Sequence, residues 1–570
     1  MKSARQMMLE LVAIGSVSES HGEIEVAHKI LALVREDGYF TEHPDHCGLW
    51  DGGDRLGRPV IWALKKGRGS KTVLFSGHYD TVGTASYGAF EPLALTPDAL
   101  MAAMRENPPD DEAIIQDLED GRWLFGRGCA DMKAGIALNI QMLHSYEVGT
   151  EASAETGAEA SAEARTEARA EASAEAETGT GDVNVLMTAV SDEENLSAGA
   201  RQAAGLYTWL TEKFGLQYVV AAESEPYLRN AEPGDPVRLI NGSAGKILPV
   251  VVAHGIPIHS SNMMGGLNSA QLIAGIAQKT EYDTAFVSKG GSLYTMPPAT
   301  LLLRDLKSGY DVSLPEYSAA AFNMTFFMET DPVTLLNHLL GDCRTAAAEL
   351  LERYHACFDE MVKAGQIEPS QRKDFDVRIL TLQELENELS GKPGFEEFRA
   401  SARSNCAEAL EKGETMQMAA VFYLRDMMAF SGIAEPFAVV GIAPPYYPAV
   451  NNDFLKKDIR RLVQNTIAAL EQEGIAAEKE DYTPAMMDLS YLSCANPKSA
   501  GQVMDNMPIP RSLYDMDLEA MAAIEIPTLV IGPLCRDIHQ VGERVFLPDI
   551  DETIPAVFRQ LVKSVELMSD

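Results

Sequence analysis

The sequence is short of positive charge. Against 84 Asp and Glu it sets only 47 Lys and Arg, a formal net charge of −37. A phosphate backbone or an anionic membrane surface would be repelled rather than held by counterion release, which excludes nucleic acid and acidic lipid as partners. Paired cysteine spacing is also missing. The seven cysteines, Cys47, Cys129, Cys343, Cys357, Cys406, Cys494 and Cys535, are scattered without a C-x-x-C step. Neither a disulfide framework nor a structural zinc knuckle is indicated, and a reducing, cytoplasmic compartment fits. No apolar run is long enough to span a bilayer. The N-terminal stretch carries Glu10 inside its apolar run and has no small-residue cleavage site, so it reads as an amphipathic helix rather than a signal peptide.

What is present is globular: 46% of the 570 residues are hydrophobic, and the length implies about two to four domains. Residues 149–181 stand apart as an Ala/Glu/Ser/Thr tract without a large apolar residue. Such a tract cannot bury a core and reads as a solvated, disordered or transiently helical insertion. Elsewhere apolar periodicity predicts helices near 2–14, 22–37, 133–146, 267–280, 333–357, 453–473 and 552–567. Strands are predicted at 59–64, 72–76, 183–190, 218–222, 319–328, 376–380, 437–442 and 528–532. Gly67 and Gly69 between the first two strands suit a hairpin loop. Strands alternating with helices argue for an α/β domain, whose functional groups collect beyond the C-terminal ends of its strands. After residue 242 a β-α-β-β-α-like order reads as an inserted second domain.

The segment 72–82, Thr-Val-Leu-Phe-Ser-Gly-His-Tyr-Asp-Thr-Val, reads as a buried strand that ends in a metal-type ligand, His78. In extended chain Asp80 shares its face, so the Asp80 carboxylate is placed to accept the second ring N–H of His78 and fix its tautomer. Strand 183–190 runs into Glu193 and Glu194, strand 218–222 runs into Glu223 and Glu225, and His539 follows the apolar strand 528–532. Asp131 opens a helix behind Gly126 and Gly128. Two imidazoles and three carboxylates, one of them shared, would hold a pair of divalent ions, zinc best, with cobalt or manganese as alternatives. Two metals about 3.5–4 Å apart would activate a water and stabilise the oxyanion of an attacked amide. The adjacent Glu193 and Glu194 offer one ligand and one free acid to take the water's proton.

These runs, Ser-Gly-His-Tyr-Asp-Thr-Val, Gly-Arg-Gly-Cys-Ala-Asp-Met-Lys-Ala-Gly, Ser-Asp-Glu-Glu-Asn, Glu-Pro at 225–226 and His-x-x-x-Glu at 539–543, resemble the co-catalytic zinc metallopeptidases of family M20. That family includes aminoacylase, carboxypeptidase G and succinyl-diaminopimelate desuccinylase. Ala-Gly-Lys-Ile-Leu-Pro at 244–249, Ala-Pro-Pro-Tyr-Tyr-Pro at 443–448 and Asp-Leu-Ser-Tyr-Leu at 488–492 look more like its arginine-utilisation-protein branch. The resemblance implies an α/β, zinc-exopeptidase-like catalytic domain, a mixed sheet flanked by helices, at 1–237 and 445–570. It implies an inserted α+β ferredoxin-like lid domain at 238–444, of the kind through which homodimers form, here with an extra segment at about 366–436. By the same resemblance His78 and Glu225 bind one metal, Glu194 and His539 the other, and Asp131 bridges them. Glu193 is the general base, Asp80 orients His78, and His259 of the lid steadies the tetrahedral intermediate. The peptide after the bridging Asp131 is cis. The activity implied is hydrolysis of an amide bond, in a peptide or N-acyl amino acid, by a metal-bridging hydroxide.

The sequence departs from the family pattern in places. Glu223 competes with Glu225 for a ligand position, and Pro226 favours Glu225. Residues 311–327 carry no Arg where typical members grip the substrate carboxylate, and Arg304 is the neighbouring substitute. A scaffold that binds a small molecule or partner without turnover, and an aminopeptidase with a more open cleft, are the other readings. The remaining histidines, His21, His28, His43, His46, His144, His254, His338 and His355, read as structural.

Overall fold

The computed structural model describes residues 1–148, 181–226 and 231–568, so the Ala/Glu/Ser/Thr tract lies outside the described residues except for Gly181. The chain forms two compact units. Met1–Ser243, Val450–Ala495 and Glu519–Asp570 make the first, and Ala244–Ala449 with Asn496–Leu518 make the second. The return of Asn496–Leu518 to the second unit differs from the expected division, which left 496–518 with the first. Polar contacts anchor it there: Asn506 O accepts Ile442 N–H (2.8 Å), and the Tyr514 hydroxyl both accepts from Tyr446 N–H and donates to Tyr446 O (2.9 Å each). No periodicity encodes such contacts.

The first unit is built on an eight-stranded mixed sheet. In spatial order its strands are Cys47–Trp50, Val60–Lys65, Asn184–Ala189, Lys71–Ser76, Gln217–Glu223, Thr528–Val530, Val237–Ile240 and Ala477–Glu480. Val73 and Phe75 join one core with Met7 and Leu11, Val26 and Ile30, Ile136 and Ile140, and Phe558 and Leu561, contributed by the helices Ala4–Val12, Gly22–Val34, Ala134–Ser145 and Ile554–Glu566. Leu74 is equally buried but points away from that core, as a period of two requires. The strand is therefore covered on both faces, which explains its unbroken apolar run. Burying each such side chain contributes roughly 1.5–3 kcal/mol.

The expected hairpin between 59–64 and 72–76 does not form. Asn184–Ala189 lies between those strands, antiparallel to Val60–Lys65 and parallel to Lys71–Ser76. The glycines of the connection serve a different purpose: a Cβ on Gly67 would come within 2.4 Å of Val183 O, and Gly69 N–H donates to Asp182 O (2.8 Å). They let the loop pass tightly against the incoming strand rather than turn a hairpin.

The second unit holds a five-stranded sheet in the order Ala299–Asp305, Tyr317–Phe326, Gly245–His254, Phe437–Tyr447 and Arg378–Thr381. Residues 250–253 are buried at every position, so both faces are covered. Helices Ser269–Thr280 and Pro332–Lys363 pack together as one group; Leu382–Leu389, Phe395–Glu411 and Met416–Ser431 form another. The extra segment at 366–436 supplies this second group. Ala299–Asp305 is an edge strand that leaves Leu301 and Leu303 exposed. Among the described residues no helix is long and apolar enough to cross a membrane.

Candidate metal centre

Lys71–Ser76 runs parallel to Asn184–Ala189 and to Gln217–Glu223, and Thr528–Val530 continues parallel to the latter. Four strands thus deliver their C-terminal ends to one edge of the sheet. His78, Glu193 and Glu194, Glu223 and Glu225, and the loop carrying His539 all emerge there.

His78 is fully buried. Its Nε2 lies 2.9 Å from Asp131 Oδ1 and 3.3 Å from Glu225 Oε1. Burial opposes a charged ring, yet the surrounding carboxylates of Glu225, Asp131 and Asp80 raise its pKa well above the ordinary imidazole value. On the other ring nitrogen the nearer acceptor is the main-chain O of Asp80 (3.1 Å), with the carboxylate at 3.4 Å. The Asp80 carboxylate has further work: it accepts Ser18 Oγ–H (2.6 Å) and the backbone N–H groups of Glu193 (3.0 Å) and Glu194 (3.2 Å). Burial works against its ionisation, but His78 and these donors hold its pKa below the usual carboxylate value. One side chain thereby sets both the imidazole and the acidic pair.

Asp131 sits where the chain leaves Gly128, at φ +74°, and enters the helix Ala134–Ser145; the Asp131–Met132 peptide is cis, as the resemblance implies. Its Oδ2 lies 3.2 Å from His539 Nε2, which is also 2.9 Å from Glu194 Oε1. Asp131 and Glu194 push the His539 ring up to about 10. Burial pushes the Glu225 carboxyl up to about 7, with Asp131 adding to it, and burial raises Glu194 and Glu193 as well. Two clusters follow, His78 with Asp131 and Glu194, and His78 with Glu193 and Glu225, each offering three ligand atoms within 4.8 Å of one another. This nitrogen and oxygen donor set suits divalent ions. Glu223 enters neither cluster, and its carboxyl is fully buried.

The structure brings together His78, Asp80, Asp131, Glu193, Glu194, Glu225 and His539. His259 belongs to the second unit, where its Nδ1 accepts Ser261 N–H (3.2 Å) at the start of a short 3-10 turn. Arg304 lies exposed on the edge strand, its Nε donating to Asp305 O (3.2 Å).

Several supporting residues receive no role from the sequence. Arg58, buried, donates to Asp192 (2.6 Å), Glu23 (3.1 Å) and Asp54 (2.9 Å), while Glu23 accepts Asp192 N–H (3.1 Å). Asp192 adopts φ +70° directly before the acidic pair. Charges this deep persist only when paired, so the cluster pins the turn that aims Glu193 and Glu194. Glu543 accepts Gly128 N–H (2.7 Å) and an Arg127 guanidinium N–H, bracing the turn before Asp131. Asp488, from the Asp-Leu-Ser-Tyr-Leu run, is a further fully buried carboxylate, pushed up to about 8 by burial.

No protein-family model matches the chain. It is 28% identical over 557 residues to the uncharacterized protein YqjN of Bacillus subtilis (strain 168), covering 96% of this chain and 94% of that protein. It is 24% identical over 567 residues to protein RocB of the same organism, covering 96% and 92%. Among solved structures it is similar to a tripeptidase from Staphylococcus aureus, with a TM-score of 0.50 and 11% identity over 99% of this chain and 98% of that one. It is similar also to an M20 family metallo-carboxypeptidase from Sulfolobus solfataricus, with a TM-score of 0.50 and 11% identity over 100% of both chains. The likeness establishes the fold: a mixed α/β architecture of the M20 peptidase type.

Proposed function

We propose that the chain is a metal-dependent hydrolase of the M20 type that cleaves an amide bond in a small peptide or N-acyl amino acid. The observation that carries this reading is the position of Asp131. One of its carboxylate oxygens faces His78 and the other faces His539, with Glu225 beside the first imidazole and Glu194 beside the second. A carboxylate so placed suits a bridge between two cations. On this reading His78 and Glu225 hold one divalent ion, Glu194 and His539 the other, with zinc the best match to the donors. Bound there, such ions supply Lewis acidity, which lowers the pKa of a water and offsets charge developing on an attacked carbonyl.

The chain's own side chains do the rest. Glu193, half-buried beside His78 and Glu225, is the group left to accept a proton from the attacking water and return it to the departing amine. Asp80 is a positioning residue that holds His78 and the Glu193–Glu194 backbone in register. His259 is assigned to the oxyanion by resemblance alone. The peptidase names of the two similar solved structures support amide hydrolysis over other reactions of the same fold.

A second reading, a scaffold that binds without turnover, draws on the absence of an arginine in 311–327. A panel of N-acyl amino acids and dipeptides, arginine derivatives included, separates the two. Hydrolysis that disappears on chelation and returns with zinc or cobalt is expected. A protein inert on the whole panel after metal loading belongs to the binding reading.

A further inference from the structure

Asp283, His338 and Asp342, in the second unit, bring one ligand atom each within 4.8 Å of one another, and we propose that they form an accessory site for a divalent transition-metal ion. The site is independent of the centre around Asp131. His338 and Asp342 stand four residues apart on Pro332–Lys363 and so share a face of that helix. Asp283 comes from the turn ahead of the short 3-10 helix Thr284–Phe286.

Each ligand is already oriented by a neighbour. Ala285 N–H binds Asp283 Oδ1 (2.9 Å), leaving Oδ2 to face His338 Nε2 at 3.2 Å. The buried Phe286 ring meets the imidazole edge-on, with centroids 4.5 Å apart and planes at 87°, which fixes the ring. Thr280 Oγ1 donates to Asp342 Oδ2 (3.4 Å). Support of this kind holds metal ligands in place before the ion arrives. The His338–Asp283 separation also matches the 2.9–3.3 Å gaps between imidazole and carboxylate around His78.

The charge balance argues the same way. Among the described residues neither Asp283 nor Asp342 forms an ion pair with a lysine or arginine, and Lys279 on the adjacent helix is engaged by Glu349 at 2.7 Å. A divalent ion would neutralise both acids and tie the turn at 284–286 to the long helix. One nitrogen and two oxygens suit zinc, nickel, cobalt or manganese, with water completing the shell.

The test uses the full chain, loaded with zinc, passed through a desalting column and analysed for bound metal. The wild-type protein is expected to hold about one zinc per chain more than His338→Ala and Asp342→Asn, whatever the content of the first centre. Added zinc is expected to raise the thermal unfolding temperature of the wild type by more than it raises that of either variant. That response is informative even where losing the His338–Asp283 pair shifts the starting stability. Equal zinc content and an equal zinc response in all three folded proteins would overturn the proposal and leave an ordinary surface ion pair.

Discussion

Glu193→Gln is expected to lower kcat for amide hydrolysis by about 10²–10⁴-fold, the usual contribution of a general base, with metal content unchanged. Glutamine keeps the size of the side chain and its ability to hydrogen-bond, but it cannot take up a proton. KM should move little, because the substitution removes an interaction used only as the proton transfers. Burial raises the Glu193 carboxyl well above its ordinary value, a direction that favours uptake of a proton. The alternative role is specific: Glu193 shares a cluster with His78 and Glu225 and is close enough to serve as a ligand. Metal analysis of the variant separates the roles. Loss of one ion together with activity would make Glu193 a ligand, and retained activity would place the base elsewhere.

Asp131→Asn is expected to be more damaging, because it touches both halves of the centre. The carboxylate faces His78 through one oxygen and His539 through the other. An amide presents one acceptor and one donor, so a side that held a cation now offers an N–H. Losing even an outer-shell partner costs about 10–100-fold in metal affinity, so removal of the bridging charge should weaken both ions by at least about 100-fold and take turnover to background. Metal titration of the variant, read by calorimetry, checks this. Loss of a single ion with the second bound normally would mean that Asp131 is an ordinary ligand to one site.

Much of this was legible in the sequence, because chemistry-bearing residues followed immediately on short apolar strands. His78, Glu193, Glu194 and Glu225 can be placed at one sheet edge from the sequence, since parallel strands covered on both faces read as unbroken apolar runs. What stayed hidden depends on long-range pairing. Gly67 and Gly69 carry the composition of a hairpin, yet their smallness accommodates the passage of Asp182 and Val183. The Arg58, Glu23 and Asp192 cluster joins three distant stretches through polar contacts that no periodicity records. Asp80 reads as a simple orienter, whereas its carboxylate also captures the backbone of the acidic pair. Asn496–Leu518 returns to the second unit by backbone and tyrosine hydrogen bonds of the same unpatterned kind.

The central claim is that Asp131 bridges two metal ions. Anomalous diffraction at the zinc edge, from crystals of active, zinc-loaded protein, tests it most directly. Two peaks are expected, one shared by His78 and Glu225 and one by Glu194 and His539, with Asp131 between them. Active protein with no anomalous peak against Asp131 would contradict the account.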